Sequence, residues 1–157
     1  MAGQRVRRGR ADRRPPCSGR RRGRRSRWRS PLTTVLDTSA ILAWLRDETG
    51  ANTVNAVISS ATMSTVNWSE LAQKLTQHGA DAGRTCDRLR TLGLAVEPFT
   101  TEDAVRAGEL WARTRSAGSS LGDRACLALA IRLDAPVLTA DKAWQDIEAE
   151  VSIELLR

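Results

Sequence analysis

Four carboxylates in this 157-residue chain fall where a strand ends or a helix begins: Asp37, Glu70, Asp123 and Asp141. Asp37 follows the apolar pair Val35-Leu36, and Asp141 follows the short run Pro136 to Leu138. Glu70 and Asp123 fall in the first turns of expected helices, within Asn67-Trp68-Ser69-Glu70 and Ser120-Leu121-Gly122-Asp123. Carboxylates gathered without cations repel one another and raise each other's pKa, unless a hard divalent ion favours their ionised forms. Mg²⁺ and Mn²⁺ take such oxygen donors together with water. An ion so held acidifies its bound water and neutralises charge developing on a phosphate, the chemistry of phosphodiester hydrolysis. Every one of these acids also has an ordinary explanation, because acids cap free N–H groups and complement the helix dipole. Both tetrapeptides resemble capping boxes, and Glu70 can pair with Lys74 one turn on. Two observations weigh against caps alone. Asp123 shares the apolar helix face of Leu127, Ala130 and Ile131, with no base three or four residues later. Asp37 ends what should be a central strand, where it is partly removed from water.

The elements that must position these acids alternate along the chain. Strands are expected at Thr33–Leu36, Thr62–Thr65, Leu94–Glu97, Pro136–Leu138 and Val151–Leu155. Helices are expected at Ser39–Asp47, Ala51–Ser60, Trp68–His78, Asp81–Leu92 closed by Gly93, Thr101–Ala117 and Leu121–Leu133, with a short one around Trp144. Strands separated by helices predict a parallel sheet covered on both faces, an α/β architecture. Ligands in such sheets bind beyond the carboxyl ends of the strands, where Asp37 and Asp141 lie.

Other chemistries find little support. No G-x-G-x-x-G follows the first strand and no Walker-type loop is present. The single histidine, His78, sits beside Gly79 at a helix end and reads as a helix-terminal residue. Ser39 and Thr139, two residues from Asp37 and Asp141, could orient those acids, and each could equally be a cap or turn residue. Trp44, Trp68, Trp111 and Trp144 fall in helices and read as core. Arg124 reads as one half of a surface ion pair, with a phosphate contact as its sharper alternative.

Charge is divided unevenly along the chain. Residues 1–30 hold 13 Arg and one acid, Asp12, a net +12, whereas residues 31–157 hold 12 basic and 17 acidic side chains, a net −5. Residues 1–31 have no helical or strand period and are broken by Pro15-Pro16 and Gly19, so disorder is expected there. Arginine without lysine among Gly, Ala and Pro is what GC-rich upstream DNA yields when read as coding sequence, and translation from near Leu32 or Val35 is the favoured reading. The alternative is a nucleic-acid arm, with Trp28 able to stack on a base. Cys17, Cys86 and Cys126 form neither an even set nor a metal-binding spacing, which fits a reducing cytoplasm. No apolar run approaches the roughly 18–20 residues needed to cross a bilayer.

The blocks VLDTSAILAWL, STVNWSELAQKL, SSLGDRACLALAIRL and PVLTADKAW, in this order and spacing, resemble the PIN-domain ribonucleases, most closely the VapC-like toxins of bacterial type II toxin–antitoxin pairs. The resemblance covers residues 33–157. It implies a Rossmann-like three-layer fold with about five parallel strands in the order 3-2-1-4-5, over one domain at 32–157. It implies a Mg²⁺- or Mn²⁺-dependent endoribonuclease, with Asp37, Asp123 and Asp141 on the metal and Glu70 orienting a metal or activating water. Ser39 and Thr139 match hydroxyl positions that accompany these acids. An RNA substrate, a cognate antitoxin and a homodimer are implied as partners. Gly122 stands where the family more often has a slightly larger residue, a departure that loosens the turn and leaves the acid in place, and the arginine tail has no counterpart. Two other readings compete: a nucleic-acid-binding protein using the tail, with an inert pocket, and a metal-dependent phosphatase of another Rossmann-like family. The phosphatase would want a second Asp two residues after Asp37, where Ser39 stands.

Overall fold

The computed structural model describes residues 33–156, and the expectations for residues 1–31 lie outside this span. Five strands, β1 (Val35–Leu36), β2 (Thr62–Ser64), β3 (Ala95–Glu97), β4 (Val137–Thr139) and β5 (Ile153–Leu155), form one sheet in the order β3-β2-β1-β4-β5. Every neighbouring pair is parallel. This is the expected α/β fold, with β1 at the centre and Asp37 immediately beyond its carboxyl end.

Successive strand residues face opposite sides, so a central strand covered on both faces is apolar at every position. Val35 packs into one core with Leu127, Leu129, Val137 and Trp144, while Leu36 packs into another with Ile41, Met63, Leu71 and Leu138. The first core lies under α5 (Thr101–Thr114) and α6 (Leu121–Leu133). The second lies under α1 (Thr38–Leu45), α2 (Ala51–Val57), α3 (Thr65–Gln77) and α4 (Ala82–Thr91). Six consecutive residues of α6, Ala125 to Ala130, are buried, and the alanines among them let this helix approach the sheet and α5 closely.

Boundaries differ from the sequence reading in instructive places. The third expected helix starts at Thr65 instead of Trp68, because the Ser64 hydroxyl accepts the Val66 N–H at 3.2 Å and caps the helix directly off β2. Glu70 therefore lies in the second turn of α3, and Asn67-Trp68-Ser69-Glu70 is not a capping box. The expected helices 51–60 and 101–117 each finish in a 3-10 turn, at Ile58–Ser60 and Arg115–Ala117. A further 3-10 turn, Lys142–Asp146, holds Trp144. The first and last strands are shorter than expected, and the fourth is shifted one residue to end at Thr139. Gly93 closes α4 at φ +105°, where a Cβ would stand 2.8 Å from the Ser59 carbonyl oxygen. Trp144 is buried, and Trp44 and Trp68 pack partly buried against the second core. Trp111 departs from the core reading: it is 52% exposed, with the Arg115 guanidinium 5.3 Å from its ring centroid.

Candidate active site

Asp37 caps α1 and is buried, at 3% exposure. Its Oδ2 accepts the Ser39 N–H at 3.1 Å, the Ser39 hydroxyl at 2.5 Å and the Thr139 hydroxyl at 3.0 Å. Each hydroxyl accepts in turn a backbone N–H from the segment after β4, Ala140 onto Ser39 at 2.9 Å and Asp141 onto Thr139 at 3.1 Å. Those amides occupy the hydroxyl lone pairs and leave the hydrogens for the carboxylate. Burial nevertheless pushes the Asp37 pKa up; the Ser39 and Thr139 hydrogen bonds oppose that rise, and the charge of Asp123 adds to it.

Asp123 is the third residue of α6 and completes the capping box expected there. Its N–H donates to the Ser120 hydroxyl at 3.2 Å, and its Oδ2 accepts the Ser120 N–H at 2.6 Å. Its pKa is raised, first by burial against the lowering effect of Ser120, then by the charges of Glu70 and Asp141. Asp123 thus feels all three other acids, since it also raises Asp37. Glu70 accepts the Thr38 hydroxyl at 2.8 Å and pairs with Lys74 at 3.5 Å, the i,i+4 contact expected from sequence. With side chains 33% and 40% exposed, that pair contributes about 0–1 kcal/mol. Asp141 is exposed and caps the 3-10 turn after β4 by accepting the Ala143 N–H at 2.9 Å.

Two participants escaped the sequence reading. Asn67, fully buried, donates from Nδ2 towards Asp37 Oδ1 at 3.4 Å, the Thr38 hydroxyl at 3.4 Å and the Gly122 carbonyl at 3.2 Å. Thr38, also buried, carries the hydrogen bond to Glu70. The one available signal was spacing, because Asn67 precedes Glu70 by one helical turn. Cys126, one turn after Asp123, lies beneath the cluster: burial and then the charges of Asp37, Asp123 and Glu70 push its thiol well above the usual range. Arg124 makes no ion pair among the described residues; its guanidinium donates to the Ser119 carbonyl at 2.8 Å.

The donor set suits a hard divalent ion, being all oxygen, with two buried or half-buried acids whose ionisation a cation would favour. The acids are not closed on a common point. Among the described residues no group of three or more His, Cys, Asp or Glu side chains is arranged to hold a metal. The hydrogen bonds explain the arrangement, since Asp123 and Asp141 are turned to their own caps and Glu70 to Thr38 and Lys74.

Comparison with curated proteins finds no match. Among solved structures, the chain resembles a toxin–antitoxin complex from Klebsiella pneumoniae, at 16% identity and a TM-score of 0.63 over 79% of this chain and 98% of that one. A DNA-bound VapBC from Salmonella typhimurium matches at 18% identity and 0.61, over 81% and 100%. A sarcin-ricin loop cleaving VapC toxin of Mycobacterium tuberculosis matches at 20% and 0.57, over 69% and 90%. At these identities the likeness is one of fold. The profile of the PIN domain matches residues 34–150, well over half of the sequence, and the chain belongs to the PIN domain family.

Proposed function

We propose that this chain is a divalent-metal-dependent endoribonuclease acting in the cytoplasm as the toxin of a type II toxin–antitoxin pair. PIN domains are nucleases and generally use divalent metals. The observation that carries the reading is the gathering of acids at the carboxyl edge of the sheet, where Thr139 ties Asp37 to the end of β4 and Asn67 ties it to the turn of α6 that bears Asp123. Asp37, Asp123 and Asp141 would hold Mg²⁺ or Mn²⁺, directly or through water, and Glu70 would orient the metal or accept a proton from the attacking water. The ion, when bound, lowers the pKa of water and neutralises charge on the phosphate, so no histidine or lysine base is needed. Ser39 and Thr139 fix Asp37 through its Oδ2, and its Oδ1 receives only the longer contact from Asn67 at 3.4 Å.

The partner follows from the same charges. An antitoxin segment bringing an arginine among the carboxylates would replace the metal's attraction with charge-assisted bonds. The Klebsiella and Salmonella structures are toxin–antitoxin and VapBC assemblies, which supports such a partner, and a homodimer completes the proposed assembly. The test is cleavage of a mixed pool of structured RNAs with Mg²⁺, with Mn²⁺ and with EDTA. Cutting that requires the metal is expected; undiminished cutting in EDTA would exclude this mechanism.

A further inference from the structure

We propose that Asn67 and Gly122 are positioning residues of this site: Asn67 sets Asp37 and Glu70 relative to each other, and Gly122 leaves the space in which the Glu70 carboxylate lies. The inference rests on the four-acid reading above and assigns work to two residues that are not acids.

Asn67 has two amide hydrogens and three acceptors within 3.2–3.4 Å: Asp37 Oδ1, Thr38 Oγ1 and the Gly122 carbonyl oxygen. Thr38 then donates to Glu70 Oε2 at 2.8 Å. One amide therefore touches the first acid directly and reaches the second through a single hydroxyl. The third acceptor ties it to the turn of α6 that bears Asp123. The other end of the side chain argues the same way. Asn67 Oδ1 is buried with no partner, an arrangement that costs stability and would be relieved by an apolar residue. Turning the amide over would set that oxygen against two acceptors, Asp37 Oδ1 and the Gly122 carbonyl. The donors are thus aimed at the site while the acceptor goes unsatisfied, the kind of local violation that functional sites retain.

Gly122 is the second residue of α6, where glycine is a poorer helix former than alanine. A Cβ there would stand 2.9 Å from Glu70 Oε2, closer than real contacts allow, and 3.4 Å from Ser120 Oγ. Glu70 therefore lies over the first turn of α6, near the positive end of its dipole. A Cβ at residue 122 would press on that carboxylate, the outer end of the Glu70 side chain, and require it to shift.

The first test is a thermal double-mutant cycle on the full-length, metal-free protein with Gly122→Ala, Glu70→Ala and the pair. Alanine at 122 is expected to raise Tm by roughly 1–3 °C more in the Glu70→Ala background than in the wild type, because only there is the space empty. Equal shifts in both backgrounds would overturn the Gly122 assignment. The second test is Asn67→Ala, with Asn67→Ser as the variant that restores a hydroxyl donor, read by calorimetric titration with MnCl₂ and by cleavage rate at saturating RNA. A residue that only packs would lower Tm and leave Mn²⁺ affinity alone. The expected result is a Mn²⁺ affinity and a cleavage rate each lowered roughly 10–100-fold, the usual range for residues that orient metal ligands, with partial recovery in Asn67→Ser. Wild-type Mn²⁺ affinity in a folded Asn67→Ala protein would overturn the Asn67 assignment. Loss of Mn²⁺ affinity in that variant, from a wild type that binds Mn²⁺ and cuts no RNA, would support this inference and sink the ribonuclease reading instead.

Discussion

The Thr139 hydroxyl donates to Asp37 Oδ2 at 3.0 Å across 102 positions of sequence, so the end of β4 holds the acid that ends β1. Hydrogen bonds to an ionised group are worth about 1.5–3 kcal/mol, and this one opposes the burial that otherwise drives Asp37 towards its protonated form. Thr139→Val keeps the shape of a fully buried residue and removes the donor. The carboxyl pKa should rise further, and the acid limb of the cleavage–pH profile should move to higher pH. The variant is expected to lose up to about tenfold in rate on the acid limb of the profile and much less on its alkaline side, the scale of one such bond. A uniform loss across the profile would mean that Thr139 serves only in packing.

Asp37→Asn should separate stability from activity. It removes one charge from a cluster in which Asp37 and Asp123 are both raised, with nearly unchanged shape. Cleavage should fall roughly 10²-fold or more, the usual effect of removing a preorganised charge at the reacting centre. The Tm of the metal-free variant should be no lower than that of the wild type. A normally cleaving variant would remove Asp37 from the site.

The legible and illegible parts of this molecule have physical reasons. The bounds of α6 follow from sequence because Ser120 and Asp123 cap each other locally, and the apolar pattern beyond them is long. The start of α3 does not, because Thr65 is β-branched and reads as continued strand, while Ser64 and Asn67 are equally good caps by type. Only the pairing that ends β2 at Ser64, opposite Glu97, decides between them. Asn67 and Thr38 stayed hidden because their partners lie 29 to 55 positions away and residue type announces nothing about that proximity. Trp111 could have been placed outside the core, since Ala107, Leu110 and Thr114 already supply the buried stripe of α5 and the tryptophan lies to one side of it. Asp37, Asp123 and Asp141 were legible as boundary acids because each sits at an element end that its own cap helps to define, whereas Glu70 lies in the second turn of α3 and caps nothing.

Removing residues 1–31 should leave the cleavage rate and metal requirement unchanged, because the proposed site draws on Asp37, Glu70, Asp123 and Asp141 with their supports between Thr38 and Asp141. The 13 arginines of residues 1–30 would contribute instead to salt-sensitive, sequence-independent affinity for RNA. Filter binding and cleavage by the two lengths of chain, at low and high salt, separate these contributions. Cleavage that disappears with the arm would favour the nucleic-acid-arm reading over an autonomous active site.

The pH dependence of stability gives a test that needs no RNA. Asp37 and Asp123 have raised pKa values in the fold, so between the unfolded value, about 3.9, and the raised native value the native state holds more protons than the unfolded one. Stability from these two groups therefore falls as pH rises through that window, and the whole deficit is present above it. A divalent ion binds the ionised forms and reverses the sign, because the carboxylates must lose their protons to ligate. The increment in Tm on adding Mn²⁺ should accordingly be smallest at the acid end of that window and grow as pH rises through it. In Asp37→Asn the dependence should flatten, since one of the two groups no longer titrates. Differential scanning fluorimetry across this range, with and without MnCl₂, measures both slopes; an increment that shrinks as pH rises would be incompatible with metal binding at these acids.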